Sequence, residues 1–552
     1  MSDTSGDRQL GIAEIHEAIA ASRPEDLCLV FRDRRLTWQE VTERTRRLAN
    51  VFVDRGLGCH TERADLPGHV SGQDHVAIYL HNGNEYLETM LGAFKARVVP
   101  FNVNYRYVAE ELEYLLDDAG ARAVVVHSAF APTLAEVLPR LERLDVILQV
   151  PDESGNELLS GAVWYEDALA DASPERPDVD WSPDDLYMLY TGGTTGMPKG
   201  VMWRNGDALV ECFGGSPTAS TVDEFVEEAT TGLQALLAPP FMHGAGHWVS
   251  FRTWLGGGTV FVQSTPERLV PSDIWGLIEE ERLNFLLIVG DAFARPLIDE
   301  LDRPTGRGPY DLSSLNVILS GGAALSAPLK EALLAHLPTV MIVDGLGSSE
   351  AGGQISHVSA GASASTGTFE LSPGNVILSE GLDAVLASHD TSTGWLAKGG
   401  RLALGYLGDP DKTERTYPVV DGRRYAVPGD RAGFLNDDPE DMTVVLHGRD
   451  SVTINSGGEK IFAEEVEAAL KAHPAVYDCI VSGRPSERWG NEVVAVVRVR
   501  DDAEVTDAEL LAEAERHIAR YKLPKAIVRV DEVVRSPSGK ADYRWAKSVV
   551  SV

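Results

Sequence analysis

Leu186-Tyr-Met-Leu-Tyr-Thr-Gly-Gly-Thr-Thr-Gly-Met-Pro-Lys-Gly200 joins a short apolar run to a loop dense in glycine and threonine. Gly192, Gly193 and Gly196 let the backbone approach a ligand closely and point N–H groups at it. Thr191, Thr194 and Thr195 add hydroxyls, and Lys199 adds a mobile positive charge. Together they suit a polyphosphate. The spacing is not G-x-x-x-x-G-K-S/T, so this is not a Walker loop, and it is not G-x-G-x-x-G either. A plain turn with a solvated lysine is the competing reading. The strand-like run before the loop and the density of hydroxyls favour phosphate.

Working outward, apolar β-rich runs alternate with helical patterns. Residues 75–80, 123–127, 146–150, 284–289, 316–319 and 340–343 read as buried strands. Residues 85–96 follow the first with Tyr86, Met90, Leu91 and Phe94 at helical spacing. Continuous apolar strands suit a sheet covered on both faces, and the alternation predicts an α/β fold with mostly parallel sheets. Residues 463–471 predict a helix, and 476–482 and 492–499 predict strands. Thr506-Asp-Ala-Glu509 is a capping box opening a helix to about residue 520. The polar turn cluster 436–442 and a short strand precede this smaller unit. The expected division is a large N-terminal domain, 1–448, and a small mobile C-terminal domain, 449–552. The Gly/Pro/His-rich segment 59–74 reads as a surface loop.

With 552 residues the chain exceeds one domain. Apolar residues make up 43% and charged residues 24%, which are globular values and exclude a fibrous or wholly disordered chain. The net charge of −35 disfavours nucleic acid or anionic lipid as a partner. Four cysteines without C-x-x-C spacing argue against a disulfide scaffold or zinc module. The first residues are polar and acidic, without a signal-peptide pattern, and no apolar stretch reaches membrane-spanning length. A cytoplasmic multidomain enzyme is the expectation, and a homo-oligomer is compatible with it.

Residues 191–200 resemble the phosphate loop of the adenylate-forming enzymes: acyl-CoA synthetases, peptide-synthetase adenylation domains and luciferases. Further motifs of that superfamily follow in order along nearly the whole chain. The resemblance implies ATP, Mg²⁺ and coenzyme A as ligands, and roles for particular residues. Gly321, Gly322 and Ala323 in Ser320-Gly-Gly-Ala-Ala324 match the adenine-side turn. Asp344, Gly345, Leu346, Ser349 and Glu350 match the next motif, with Leu346 where the family commonly has an adenine-stacking aromatic. Ser349 keeps the hydroxyl for the α-phosphate and Glu350 the carboxylate for Mg²⁺. Asp430, after Pro428-Gly429, matches the ribose anchor, and Arg449 the junction arginine. At the family's hinge position the sequence has Ser451. Gly457 and Gly458 match the pair along the pantetheine tunnel, and Lys540 matches the mobile C-terminal lysine.

His243, in Pro239-Pro-Phe-Met-His-Gly-Ala-Gly246, matches the acyl-side segment of acyl and aryl ligases. Residues 238–250 contain no Asp or Glu. A substrate ammonium would be buried there unpaired, so amino acids are disfavoured. Lys540, Lys199, Thr195 and His243 are the catalytic candidates. Gly200-Val-Met-Trp-Arg204, Ile454-Asn-Ser-Gly-Gly458 and Asp542-Tyr-Arg-Trp545 resemble a subgroup acting on fatty acids and steroid side-chain acids. The implied function is an acyl-CoA ligase; carrier-protein loading and aryl-CoA ligation are the alternatives. Val289-Gly-Asp-Ala292, with Gly244 and Gly246, is expected to leave a roomy acyl pocket.

Overall fold

The computed structural model describes residues 10–191, 197–303, 308–361, 367–456, 459–486, 489–536 and 539–551. A large mixed sheet organises most of the chain. In its parallel half the strands lie in the order Leu27–Phe31, Thr259–Val262, Gln234–Leu237, Phe285–Ile288, Val317–Gly321 and Met341–Ser348. Helices Pro271–Glu281, Gly290–Asp302 and Ala327–His336 connect the later strands of this half. Their apolar faces and the strands share one core that includes Trp275, Leu286, Ile288, Leu297 and Ile318. Full burial of each such aliphatic side chain contributes about 1.5–3 kcal/mol, which explains why these strands are apolar on both faces.

The other half of the sheet is antiparallel, beyond the mostly parallel expectation. Met341–Ser348 turns back at residues 349–351 and pairs with Gly352–Ser359. So short a link cannot make a parallel crossover, which needs a dozen residues or more. From there antiparallel pairings lead to Thr443–Arg449 and Asp430–Phe434. A second, parallel sheet holds Val99–Asn102, His75–Tyr79, Ala121–His127, Val146–Val150 and Val163–Trp164. Leu186–Thr191 and Lys199–Arg204 form an antiparallel hairpin joined by Gly405–Tyr406.

Thr443–Arg449 still belongs to the large sheet, and after a single 3₁₀ turn Ile454–Ser456 opens a separate five-stranded sheet. The hairpin Val476–Ser486/Gly490–Val499 is its spine, and Ala463–Lys471 and Asp507–Glu515 pack on one face around Val466, Leu470, Cys479 and Leu510. The capping box is formed: Glu509 N–H donates to Thr506 Oγ1 at 3.3 Å and Thr506 N–H to Glu509 Oε2 at 2.7 Å. That helix ends at Glu515, earlier than the sequence pattern predicts, and a 3₁₀ turn, Arg520–Lys522, follows.

Candidate active site

The cleft lies where parallel strands end, as ligand sites of open α/β sheets do. Gly290 follows Phe285–Ile288 with φ +52, and a Cβ there would stand 2.4 Å from the Ala324 carbonyl oxygen. Glycine is therefore required for the two strand ends to meet. Gly290 N–H donates to Ser320 Oγ at 3.0 Å, fixing the turn 320–324 from behind. Gly321, Gly322 and Gly345 form a shelf without side chains; a Cβ on Gly321 would lie 3.4 Å from the Gly345 oxygen. Ala323 packs against the core below, and Leu346 is half-buried against the Ile355 cluster. Asp344 is buried and ion-paired with Lys330 of the helix Ala327–His336. Burial lifts its carboxyl above the usual range, and Lys330 only partly offsets that. Its side chain thus braces the strand from the helix side.

The hairpin Leu186–Thr191/Lys199–Arg204 has Thr191 and Lys199 as its last paired residues. Gly192, Gly193, Thr194, Thr195 and Gly196 lie outside the described residues, as do Gly457 and Gly458. Lys199 Nζ rests 3.0 Å from Asp118 Oδ1, and Tyr190 O–H donates to Asp118 Oδ2 at 2.8 Å. Burial alone would lower the lysine's pKa, but Tyr114 and Asp118 outweigh it and raise it, so Lys199 is a cation. Asp118 ends the helix Ala109–Asp118 and carries no local sequence signal. Asn102 clamps the hairpin near its loop end: its amide donates to Tyr190 O at 2.9 Å and Met242 O at 2.8 Å.

Glu350 is aimed by aromatic residues. Tyr406 O–H donates to its Oε1 at 2.8 Å, Tyr417 O–H to its backbone oxygen at 3.3 Å, and Trp203 Nε1–H to Ser349 O at 2.8 Å. Among the described residues no three His, Cys, Asp or Glu side chains gather as a metal cage. One positioned carboxylate fits Mg²⁺, which keeps waters and takes the rest of its ligands from substrate phosphates.

Asp430 and Arg449 are register partners on adjacent strands, with Arg449 Nε 3.3 Å from Asp430 Oδ1. Asp430 is buried while the arginine side chain is 43% exposed, so the pair opens on the cleft. Gly448 has φ +127, and a Cβ there would sit 2.5 Å from Glu464 Oε2 of the small unit. Arg449 N–H donates to Glu464 Oε1 at 3.3 Å, tying the junction to the helix Ala463–Lys471. Burial, then Glu467, pushes the Glu464 carboxyl up to about 7.

Lys540 reaches this cleft from the small unit: its Cε is 3.7 Å from where a Cβ on Gly322 would be. Protein surrounds it, but the cleft is open, so solvent still reaches the side chain. Burial and Arg449 push its ammonium down to about 8, against the pull of Glu350 and Asp430. His243 stands at the N-cap position of the helix Gly244–Leu255, and its buried Nε2 has no hydrogen-bond partner among the described residues. Burial, then Lys540, depresses it to about 3, so it is neutral at ordinary pH. Neighbouring His247 is satisfied on both nitrogens, by Tyr187 O–H and Phe241 O. Gly246 and Gly290 leave no room: a Cβ on Gly246 would lie 2.7 Å from Pro240 O. Both glycines are therefore close-packing positions.

A glycine shelf at parallel strand ends, a cation-bearing hairpin and a small unit delivering one lysine define an adenylate-forming fold. The chain belongs to the AMP-binding enzyme family, which matches residues 16–372; the AMP-binding enzyme C-terminal domain matches residues 465–540. It is 50% identical to a medium-chain acyl-CoA ligase, Mig, of Mycobacterium avium, over 99% of both chains. It is 39% identical to a 3-oxocholest-4-en-26-oate–CoA ligase of Rhodococcus rhodochrous, over 98% of this chain and 95% of that one. The anthranilate CoA ligase AuaEII, solved with anthranoyl-AMP, superposes with a TM-score of 0.80 at 20% identity, covering 100% of this chain and 99% of that one.

Proposed function

We infer that this chain is an AMP-forming acyl-CoA ligase. A carboxylate oxygen attacks the α-phosphorus of ATP, the bond to the β-phosphate oxygen breaks, and pyrophosphate leaves. The thiolate of coenzyme A then attacks the acyl carbon of the mixed anhydride, and AMP leaves. The observation that carries this reading is the convergence of Lys540, Glu350, Asp430 and Arg449 on one cleft beside the Gly321–Gly322 shelf. The names of the two relatives direct the acyl specificity to medium-chain fatty acids or steroid side-chain acids.

A carboxylate is a poor acyl donor because oxide would have to leave; AMP is a good leaving group. Catalysis of the first step is positioning plus charge stabilisation. Asp430 would accept both ribose hydroxyls, a charged acceptor making a directional anchor. Lys199 would leave Asp118 for β- and γ-phosphate oxygens, aided by Thr191, Thr194 and Thr195. Ser349 would donate to the α-phosphate, and Lys540 would bridge the α-phosphate and the incoming carboxylate. Each charge-assisted bond is worth about 1.5–3 kcal/mol. Glu350 would hold Mg²⁺, which when bound neutralises triphosphate charge. Neutral His243, with its unpartnered nitrogen, would face the acyl group. We place the division between the two moving parts at residues 448 and 449, with the swing at 449–451 bringing Gly457 and Gly458 to pantetheine in the second step.

The reading is tested by incubating the protein with ATP, Mg²⁺, coenzyme A and a panel of medium-chain, long-chain, aryl and steroid acids. Stoichiometric AMP and acyl-CoA with a medium-chain or steroid acid are expected. AMP release from none of the panel, or release independent of coenzyme A, contradicts it.

The lysine also gives a pH dependence. Lys540 is pushed down to about 8, so it is charged below that pH and neutral above. kcat/KM for adenylation, which reports the free enzyme, should fall as pH rises through about 8. Lys540→Arg should remove that limb because guanidinium stays protonated. A limb unmoved in Lys540→Arg assigns it to another group.

A further inference from the structure

The helix Gly290–Asp302 carries Asp291, Arg295 and Asp299 at four-residue spacing, and Arg303 follows at its C-cap. Residues four apart share a helix face. This whole stripe faces the small unit. Asp291 Oδ2 lies 3.3 Å from Lys471 Nζ, and both side chains are about nine-tenths buried. The Arg295 guanidinium stands 5.0 Å over the Tyr477 ring, whose face Arg498 also covers at 4.2 Å. Asp299 lies 3.7 Å from Arg500. Arg303 and Asp502 are 4.0 Å apart and exposed, which contributes little.

Behind Lys471 the contacts continue to Lys540. Lys471 Nζ is also 3.5 Å from Asp478 Oδ1, and Asp478 accepts from Arg535 Nε at 2.6 Å and Nη2 at 2.7 Å. Arg535 Nη1 in turn donates to the Gly539 carbonyl at 3.0 Å, one residue before Lys540. The loop itself rests on the start of the same helix: a Cβ on Gly539 would meet Ala292 Cβ and Val289 O, each at 3.2 Å. At the other end, Asp291 Oδ1 accepts from Ser326 N–H at 2.7 Å, and Asp291 N–H donates to Ala324 O at 3.1 Å. The helix therefore joins the adenine-side turn to the loop that carries the lysine.

We propose that the stripe Asp291, Arg295 and Asp299 is the docking register for the small unit in its adenylating pose, and that Lys471, acting through Asp478 and Arg535, is a positioning residue for Lys540. This rests on the ligase reading above. The alternating signs allow one register: a one-turn slip along the helix would set Asp291 or Asp299 against Tyr477 and Arg295 against a cation. Rotating the small unit away for the second half-reaction must break Asp291–Lys471, leaving Asp291 without its cation and Lys471 with Asp478 alone. The pair therefore weights one pose over the other without touching substrate.

The test uses full-length Lys471→Met, Lys471→Arg, Asp291→Asn and the double variant Asp291→Asn/Lys471→Met. The amide oxygen introduced by Asp291→Asn would still accept from Ser326 N–H, so the turn 320–324 is retained. Single-turnover formation of acyl-AMP from ATP and acid is compared with acyl-CoA formation from supplied acyl-AMP and coenzyme A. Lys471→Met and Asp291→Asn should each slow the first reaction on the order of 10- to 100-fold and leave the second unchanged, and the double variant should be little worse than either single one. Lys471→Arg should recover most of the rate. Equal losses in both reactions, additive losses, or no loss in the first overturn the proposal. A wild-type chain inert in both reactions overturns the ligase reading, and the relay falls with it; an active wild type with unaffected variants overturns the relay alone.

Discussion

Lys540→Ala should lower acyl-AMP formation about 10²- to 10³-fold, the effect of removing one preorganised donor from developing charge. Formation of acyl-CoA from supplied acyl-AMP should continue near the wild-type rate. The asymmetry follows from where the lysine is carried. It enters the cleft on a loop of the small unit, beside Gly322 and among Glu350, Asp430 and Arg449. On the proposed two-step reading, the same unit would turn to bring residues 457–458 to the thiol, and the lysine would then leave. Alanine removes a side chain that solvent reaches, so the variant should fold as well as the wild type. Stopped-flow or quench measurement of each half-reaction reads the difference. Equal losses in both would show that one arrangement serves both steps.

Glu350→Gln should have an effect of similar size on the same half-reaction. Glutamine keeps an oxygen for Tyr406 O–H, so the local contacts survive while the charge is lost. Losing even an outer partner of a bound metal costs about 10–100-fold in affinity or activity, and losing a carboxylate that would hold the ion directly should cost at least that. The Mg²⁺ concentration needed for half-maximal adenylation should rise accordingly. The second half-reaction, which involves no triphosphate, should be insensitive to both the substitution and Mg²⁺. A variant with unchanged Mg²⁺ dependence would place the ion elsewhere.

The parts legible in the sequence are those whose chemistry is local. Strand ends such as residues 316–321 announce themselves by an apolar run followed by glycine, and Thr506/Glu509 form the box that their spacing implies. Arg449 was legible by motif resemblance, whereas the φ of +127 at Gly448 beside it shows only in the structure. Residues brought in from far along the chain were not legible. Asp118, which holds Lys199, Tyr406, which aims Glu350, and Asn102, which clamps the hairpin, each have ordinary neighbours in sequence. Asp344 was placed by its motif, but the buried partner that engages its carboxylate, Lys330, is a further residue the sequence did not announce. The stripe 291–295–299 was present as a four-residue repeat, yet alternating charge on a helix reads as a solvated face until the small unit is seen against it. Part of the antiparallel half of the large sheet was hidden because strands such as Gly352–Ser359 and Thr368–Leu371 mix buried and exposed positions, without the continuous apolar signal of the parallel half.

The most direct measurement is acid-dependent exchange of labelled pyrophosphate into ATP, in the absence of coenzyme A. Rapid exchange with a medium-chain or steroid side-chain acid, lost in Lys540→Ala, is the result expected of a cleft that makes and reverses an acyl-adenylate. No exchange with any carboxylic acid, or exchange undiminished in Lys540→Ala, would contradict it.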